Sequence, residues 1–339
     1  MHNSSILVTG GTGYIGSHTA VELLNAGFDV IIVDNLYNSS ADVIPNIEKI
    51  TGKKVTFIKA DCCDKQQMQH VFKTNNSIAA VIHFAAYKAV GESVEKPIEY
   101  YKNNLLSLLN VLEVMQDNRV NSFVFSSSCT VYGQPDKLPV TESSPIKPAL
   151  SPYGNTKQIS EEVLQDLVNV SNDFRCISLR YFNPIGAHPS ALIGECPNGT
   201  PNNLVPLITQ TAAGVRSCLN VDGNDYDTPD GSCIRDYIDV VDLAKAHVAA
   251  VLRLLDSTNM QRMEYFNIGT GKGISVFELI RYFEEATGTS LCYQVTKRRA
   301  GDIAKIWADP TLANSKLGWY AKKDIRETLL AAWKWQQQH

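Results

Sequence analysis

The chain has 339 residues, of which 19% are charged and 44% hydrophobic, with a formal net charge of −4 and a pI near 6.0. That balance describes an ordered globular protein with one large domain or two intimately joined ones. It supplies no polybasic field, which excludes nucleic acid and anionic membrane as expected partners. No apolar run reaches the roughly eighteen residues that cross a bilayer. Met1-His2-Asn3-Ser4-Ser5 carries no charged leader and enters a strand directly, so no signal peptide is expected. Eight cysteines are scattered without a C-x-x-C pair or clustered histidines, and vicinal Cys62-Cys63 would sit awkwardly in an oxidising compartment. A reduced cytoplasmic enzyme with neither structural disulfides nor metal is the expectation.

The first element is a short strand through Ile6-Leu7-Val8, which runs into Thr9-Gly10-Gly11-Thr12-Gly13-Tyr14-Ile15-Gly16 and then an amphipathic helix carrying Ile15, Ala20, Val21, Leu23 and Leu24. Strand, glycine turn and helix form the setting in which such a motif holds a dinucleotide. Gly10 and Gly13 let the backbone approach a pyrophosphate, the helix N-terminus offers N–H donors, and Gly16 allows close packing on the strand. A second strand, Val30-Ile31-Ile32-Val33, ends in Asp34. A carboxylate there accepts from both adenosine ribose hydroxyls and repels a 2′-phosphate, which points to NAD rather than NADP.

Apolar runs recur at Val55–Ile58, Ala79–Phe84, Phe123–Phe125 and Cys176–Leu179, with helical patterns at Ile98–Met115 and Tyr153–Val170. The alternation predicts an α/β fold, a Rossmann-type doubly wound parallel sheet with ligand at the strand carboxyl ends. Asp61, His83-Phe84-Ala85-Ala86 and Ser126-Ser127-Ser128 are expected just beyond strand ends, on that edge. His83, between Ile82 and Phe84, reads as a satisfied histidine rather than a catalytic one. Tyr153 and Lys157 share a helix face. An ammonium there would favour the phenolate of a group whose pKa is ordinarily near 10. Alone, that spacing also fits a solvated helix face.

Past Tyr181 the texture changes. Residues 184–236 are dense in Pro, Gly and Asn, as suits a loop-rich substrate region. A helix over Asp242–Leu255 and a strand over Glu264–Ile268 follow. Lys297-Arg298-Arg299 is either a solvated loop or, beside a nucleotide site, a diphosphate holder. The expected division is 1–183 for the NAD-binding unit and 184–339 for a smaller C-terminal unit, with an approximate boundary and room for segments to interleave.

Three motifs resemble the extended short-chain dehydrogenase/reductases: the glycine turn, Ser126-Ser127-Ser128-Cys129-Thr130-Val131-Tyr132-Gly133 and Ser151-Pro152-Tyr153-Gly154-Asn155-Thr156-Lys157. Arg180-Tyr181-Phe182-Asn183-Pro184, Pro201-Asn202-Asn203-Leu204, Gly223-Asn224-Asp225-Tyr226-Asp227-Thr228 and Arg235-Asp236-Tyr237-Ile238 narrow the resemblance to the UDP-glucose (UDP-galactose) 4-epimerases. It runs from Ile6 to about Trp335. It implies tightly held NAD, a UDP-sugar substrate and a homodimer built from helices.

By matching motif, NAD is expected at Tyr14, Ile15, Asp34, Asn35, Leu36, Tyr37, Asn38, Ser39, Asp61, Cys62, Phe84, Ala85, Ala86, Tyr87, Lys88, Asn103, Lys157 and Phe182. The UDP-sugar is expected at Lys88, Ser128, Thr130, Tyr153, Asn183, Asn203, Leu204, Arg235, Arg299, Asp302 and Ile306. The implied reaction is 4-epimerisation of UDP-hexoses through a 4-keto sugar. Tyr153 takes the 4-hydroxyl proton, Ser128 bonds the same oxygen, and Lys157 with the positive nicotinamide lowers the tyrosine pKa.

Three positions depart from the family pattern. Asp222 stands where an aromatic usually packs near the uracil, and Asp239 replaces a usual histidine. Ile306 occupies a sugar-pocket position that is tyrosine in stricter members and small in those that admit N-acetylated sugars. Two rivals are a nucleotide-sugar 4,6-dehydratase and a non-catalytic NAD-binding regulator. The first needs an Asp-Glu pair where Cys129-Thr130 stand, and the second has no use for Ser128, Tyr153 and Lys157 in register.

Overall fold

Short β-branched runs alternate with amphipathic segments, and in the computed structural model, which describes residues 4–299 and 302–339, they become strands and covering helices. Met1-His2-Asn3, part of the segment read for a leader, lies outside the described residues. The first six strands are β1 (Ser5–Thr9), β2 (Asp29–Asp34), β3 (Thr56–Lys59), β4 (Ile78–His83), β5 (Ser122–Ser128) and β6 (Arg175–Tyr181). Then come β7 (Asn183–Ile185), β8 (Leu219–Asp222), β9 (Ile234–Arg235), β10 (Tyr237–Asp239) and β11 (Met263–Ile268). The last are β12 (Ile274–Ser275), β13 (Tyr293–Thr296) and β14 (Lys305–Ile306). The helices are α1 (Tyr14–Asn25), α2 (Val43–Thr51), α3 (Lys65–Thr74), α4 (Val90–Glu95) and α5 (Pro97–Asp117). They continue with α6 (Pro152–Val170), α7 (Leu204–Ala212), α8 (Val240–Leu255), α9 (Val276–Thr287) and α10 (Ile325–Gln336).

Seven strands form one sheet in the order β11-β6-β5-β4-β1-β2-β3, and every pairing in it is parallel. The central strands are apolar on both faces because helices cover both. Along β1, Ile6 and Val8 pack with Leu23 and Leu24 of α1 and Leu243 and Val251 of α8. Leu7 points the other way, against Met68 of α3, Val111 of α5 and Leu164 of α6. This is the period-two alternation of a strand, read out as two cores.

The expected break at 183/184 is crossed by the chain. Residues beyond it build a second core from Val205 and Ile208 of α7, Phe283 of α9 and Leu329 of α10. Yet α8 returns to the first core and β11 pairs with β6 to complete the large sheet. A parallel strand needs a crossover, so the edge strand had to be reached from outside.

The expected strand end at Phe125 is also extended. Ser126, Ser127 and Ser128 are paired with Leu179, Arg180 and Tyr181, within β5 rather than after it. Their hydroxyls are satisfied laterally, as when Ser127 donates to Glu161 at 2.7 Å, so low strand propensity does not end the ladder.

Three histidines sit inside this fold without charge. His18 and His247 donate from Nδ1 to the carbonyls of Tyr14 (2.7 Å) and Leu243 (2.9 Å), since a carbonyl only accepts. That leaves each Nε2 a buried lone pair without a partner. His83 Nδ1 meets Thr9 Oγ1 at 2.8 Å, which bears out its reading as a satisfied residue. Burial lowers His18 and His83 to about 3 and His247 to about 4, from an ordinary 6.5. Depressed folded-state values give stability that is full above the unfolded pKa and is lost as pH falls toward the folded ones. Near pH 6 the three together should cost about 3 kcal/mol per pH unit. Urea midpoints taken between roughly pH 7 and 5.5 check this; a flat profile would show that these imidazoles charge without penalty.

Candidate active site

The glycine turn is built by contact. Gly10 has φ +67°, and a Cβ there would lie 2.8 Å from the Ala85 backbone nitrogen; at Gly16 it would lie 2.8 Å from Gly11 Cα. Gly13 caps α1 with no side-chain bond, so no capping side chain takes up the first-turn N–H groups of Tyr14, Ile15 and Gly16. At the end of β2, Asp34 accepts from Thr12 N (3.2 Å), Leu36 N (2.9 Å) and Ser39 Oγ (3.0 Å). Leu36 adopts φ +61° to make that loop. Asn35 donates to Asp61 at 3.3 Å, which joins the ends of β2 and β3. Tyr37 lies 4.9 Å ring to ring from Tyr87, with Asn38 exposed beside it.

The segment after β4 closes the same edge. Phe84 N and Ala85 N bond Thr9, Ala86 is half-buried, and Tyr87 N donates to Asn104 at 2.8 Å. Asn103 donates to Asn104 at 3.0 Å, and its carbonyl accepts from Cys63 Sγ. Cys62 is buried beneath, its thiol pushed far up by desolvation. The expected cofactor residues up to Asn103 thus converge on the carboxyl ends of β1 to β4.

The reactive side chains stand on the adjoining edge. Ser151 caps α6 by accepting from Gly154 N at 3.1 Å, which starts the helix at Pro152, one residue before Tyr153. Lys157 Nζ donates to Ser126 O at 2.6 Å and lies 5.9 Å from the Tyr153 ring centroid. Burial lowers this ammonium to about 8, while Glu161 pulls it upward. Burial also raises the Tyr153 phenol to about 12, against the downward pull of a hydrogen bond with Ser128. Lys157 is expected to lower the phenol together with a positive nicotinamide; in the protein alone, burial is the largest influence on that phenol and its direction is upward.

Under these residues lies a network that motif reading missed. Glu161, one helical turn beyond Lys157, accepts from Ser127 and Ser178 (2.7 Å each) and takes both Nε and Nη2 of Arg180, the closer at 2.7 Å. Arg180 also donates to Tyr132 Oη at 3.1 Å, and Tyr132 to Asn267 at 2.6 Å. The signal was present as an i, i+4 continuation from Lys157, but a helix carboxylate reads as a solvated charge until its partner strand is known.

The second unit faces this edge. Asp302 accepts from Arg299 at 2.7 Å, and Arg235 stands 3.7 Å from the same carboxylate oxygen. Asp236 holds the neighbouring loops by accepting from Thr270 N (2.8 Å), Gly271 N and Ala308 N (3.1 Å each). Ile306, opposite Arg235 in register, is 3% exposed in a small core with Tyr132, Phe182 and Ala308. Asn183 pairs with Tyr237, and Leu204 opens α7 after Asn203. Thr130 Oγ1 is buried without a partner, a polar group suited to a bound ligand.

Glu195 was not anticipated, lying in a stretch without periodicity. One carboxylate oxygen accepts from both Lys88 (3.1 Å) and Asn203 (2.6 Å), so it bridges the two units at two expected contacts. Asp239 turns out to cap α8, accepting from Val241 N at 2.8 Å and from Thr328 at 2.9 Å. Asp222 accepts from Thr296 at 2.9 Å across the β8–β13 pair.

A parallel sheet of this order, a glycine turn with a carboxylate at the end of the next strand, and a Ser–Tyr–Lys group beside it define an extended short-chain dehydrogenase/reductase. A family model described as GDP-mannose 4,6 dehydratase matches residues 7–331. A UDP-glucose 4-epimerase of Yersinia enterocolitica is 50% identical over 98% of this chain and 97% of its own length. A UDP-glucose 4-epimerase of Bifidobacterium longum, solved with NAD+ and UDP, superposes with TM-score 0.95 at 47% identity, covering 99% of each chain. A UDP-Glc/GlcNAc 4-epimerase of Campylobacter jejuni gives TM-score 0.84 at 35% identity, covering 99% of this chain and 100% of its own. The chain belongs to the UDP-glucose 4-epimerase family.

Glu161→Gln leaves the Arg180 guanidinium buried and uncompensated, and loss of one partner of such a pair costs about 3–5 kcal/mol. The urea unfolding midpoint should drop accordingly. A midpoint within error of the parent would show that the pair carries no net stabilisation.

Proposed function

We propose that this protein interconverts UDP-glucose and UDP-galactose by NAD-dependent epimerisation at C4. The observation that carries the reading is the convergence of Tyr153, its Ser128 hydrogen bond and the Ser126-anchored Lys157 beside the glycine turn. Uncapped α1 donors and Asp34 fit a diphosphate and an adenosine ribose with free hydroxyls, which is NAD rather than NADP. Bound there, NAD supplies reversible hydride acceptance at the sugar carbon.

The chain's own residues do the rest. Tyr153 holds and returns the C4-hydroxyl proton, and Ser128 bonds the same oxygen and keeps it aligned. Lys157 is fixed on Ser126 O, so its charge stays under the phenol rather than reaching solvent. With burial holding the free phenol near 12, adjacent positive charge is what favours its ionised form. Arg235 and Arg299 around Asp302 offer guanidinium forks for a diphosphate, and Thr130, Asn183, Asn203, Leu204 and Lys88 surround the sugar side. Ile306 forms its apolar wall, packed in one cluster with Phe182, which is read as touching NAD.

In this reading 1–183 holds NAD and 184–339 the UDP-sugar, with 240–255 and 263–268 returned to the first unit. The protein works in the cytoplasm as a homodimer, supported by apolar Ile98 and Leu109 exposed on α5. No helix among the described residues is long and apolar enough to cross a membrane. Against a 4,6-dehydratase, Cys129 is pushed up to about 12 by burial, which leaves a neutral thiol where that reaction needs an acid–base pair. A non-catalytic regulator gains nothing from setting a half-buried Tyr153 over a buried Lys157.

The direct test is pure protein with UDP-galactose and no added cofactor, the epimers resolved by NMR. Tyr153→Phe keeps the ring and removes the proton acceptor, so turnover should fall about 10²–10⁴-fold while NAD still co-purifies. Near-parental turnover would remove Tyr153 from the acid–base role.

Ile306 lacks the ring and hydroxyl of a tyrosine, so the pocket should also admit an N-acetyl group at C2. Ile306→Tyr should suppress interconversion of UDP-GlcNAc and UDP-GalNAc far more than that of the plain hexoses. The ratio of the two rates on one sample cancels any loss of folded protein. An unchanged ratio would show that this position does not gate the substrate.

A further inference from the structure

Cys218 and Cys292, 74 residues apart, lie side by side where a parallel strand pair begins. β8 and β13 register Leu219 with Tyr293 through to Asp222 with Thr296, so the cysteines form the next rung outward. Leu219 N donates to Cys292 O at 2.8 Å, and the two sulfurs are themselves 2.8 Å apart. Cys292 is exposed and Cys218 half-buried, both as free thiols. Adjacent strands hold their Cα atoms within the span of a disulfide, so closure needs no backbone movement.

We propose that Cys218 and Cys292 form a reversible disulfide that straps β8 to β13 and stiffens the rim these strands carry into the site. The rim's role in nucleotide binding rests on the epimerase reading above; the bond itself does not. β8 runs into Asp222 and Gly223, and β13 runs into Lys297–Arg299. The two are already tied by Gly223 N to Thr296 O at 3.0 Å and by Arg298 to Asp225 at 2.6 Å. A staple at the open end leaves Asp222 and Arg299 fewer arrangements to lose when nucleotide binds.

The oxidant is a small-molecule disulfide such as oxidised glutathione. The exposed Cys292 thiolate attacks one of its sulfurs, the reagent's S–S bond breaks, and one glutathione thiolate leaves and takes up a proton. Cys218, as thiolate, then attacks the Cys292 sulfur and expels the second glutathione. The cysteines lose two electrons and two protons, and the reagent leaves as two thiols. In a reducing compartment the pair rests as a dithiol and closes only when the small-molecule disulfide rises. Cys62, Cys176 and Cys233 are buried away from such a reagent.

Full-length protein is incubated with oxidised glutathione, its remaining thiols are alkylated, and unreduced peptides are mapped by mass spectrometry. The Cys218 and Cys292 peptides should appear joined, lighter by two hydrogens, and separate with dithiothreitol. Cys218→Ser should trap glutathione on Cys292. Recovery of both cysteines alkylated, or a lasting glutathione adduct on Cys292 beside a free Cys218, overturns the bond. Once the bond forms, the KM for UDP-galactose should fall a few-fold with kcat unchanged, because the reacting groups lie on β5 and α6. In the double variant Cys218→Ser, Cys292→Ser, which keeps the exposed Cys196, the KM should be the same with and without the oxidant. A KM equal in both redox forms overturns the link to the site, and absence of epimerisation in the reduced protein overturns the epimerase reading without touching the mapped bond.

Discussion

Glu161 and Arg180 face each other at 2.7 Å with side chains only 7% and 6% exposed, and neither has water to fall back on. A buried pair of this kind persists when its remaining donors and acceptors are matched, and here they are. Ser127 of β5, Ser178 of β6 and Tyr132 beyond β5 all point into it. Rings of Tyr132 and Tyr265 cover the guanidinium at 5.1 and 4.4 Å. The pair therefore fixes α6 against the middle of the sheet. Because Lys157 and Tyr153 are earlier residues of that helix, their distance from Ser126 and Ser128 follows from it. Through Tyr132 and Asn267 the same network reaches β11, so the strand supplied from beyond residue 184 is locked to the reactive edge.

Electrostatics at this edge oppose charge before any ligand is considered. Desolvation drives the Tyr153 proton on and the Lys157 proton off, to about 12 and about 8. Both shifts have desolvation as their largest cause, so added positive charge at the strand ends acts on the pair in a defined way: it favours the phenolate over the phenol and the neutral amine over the ammonium. The site is thus built to respond to what binds in it.

The second unit contributes charge that is held rather than free. Arg235 and Arg299 share Asp302, and Lys88 shares Glu195 with Asn203. Each arrangement fixes where a long cation stands, because the shared carboxylates are themselves largely buried, Glu195 at 10% and Asp302 at 13% exposed. Asp236 sets the loops behind Arg235 with four hydrogen bonds and fixes where that guanidinium emerges.

Much was legible in the chain alone, where it rested on local chemistry. The glycine turn, Asp34 at a strand end, the Tyr153–Lys157 spacing and the strand–helix alternation are short-range patterns set by sterics and periodicity, and the fold places them as read. The departures have equally physical causes. The serines extend β5 because Glu161 satisfies one of them from another element, and α8 and β11 rejoin the first unit because a parallel edge strand must arrive by crossover. Asp239 is a helix cap bound to Thr328 from α10. Glu195 and the Cys218–Cys292 pair carry no signature in one dimension, and the i, i+4 step from Lys157 to Glu161 reads as a solvated charge, because each gains its meaning from a partner that is distant along the chain. The residues alone determined which chemistry is present; only the tertiary structure decided which carboxylates are buried and paired, since burial is a property of what packs around a group and not of the group.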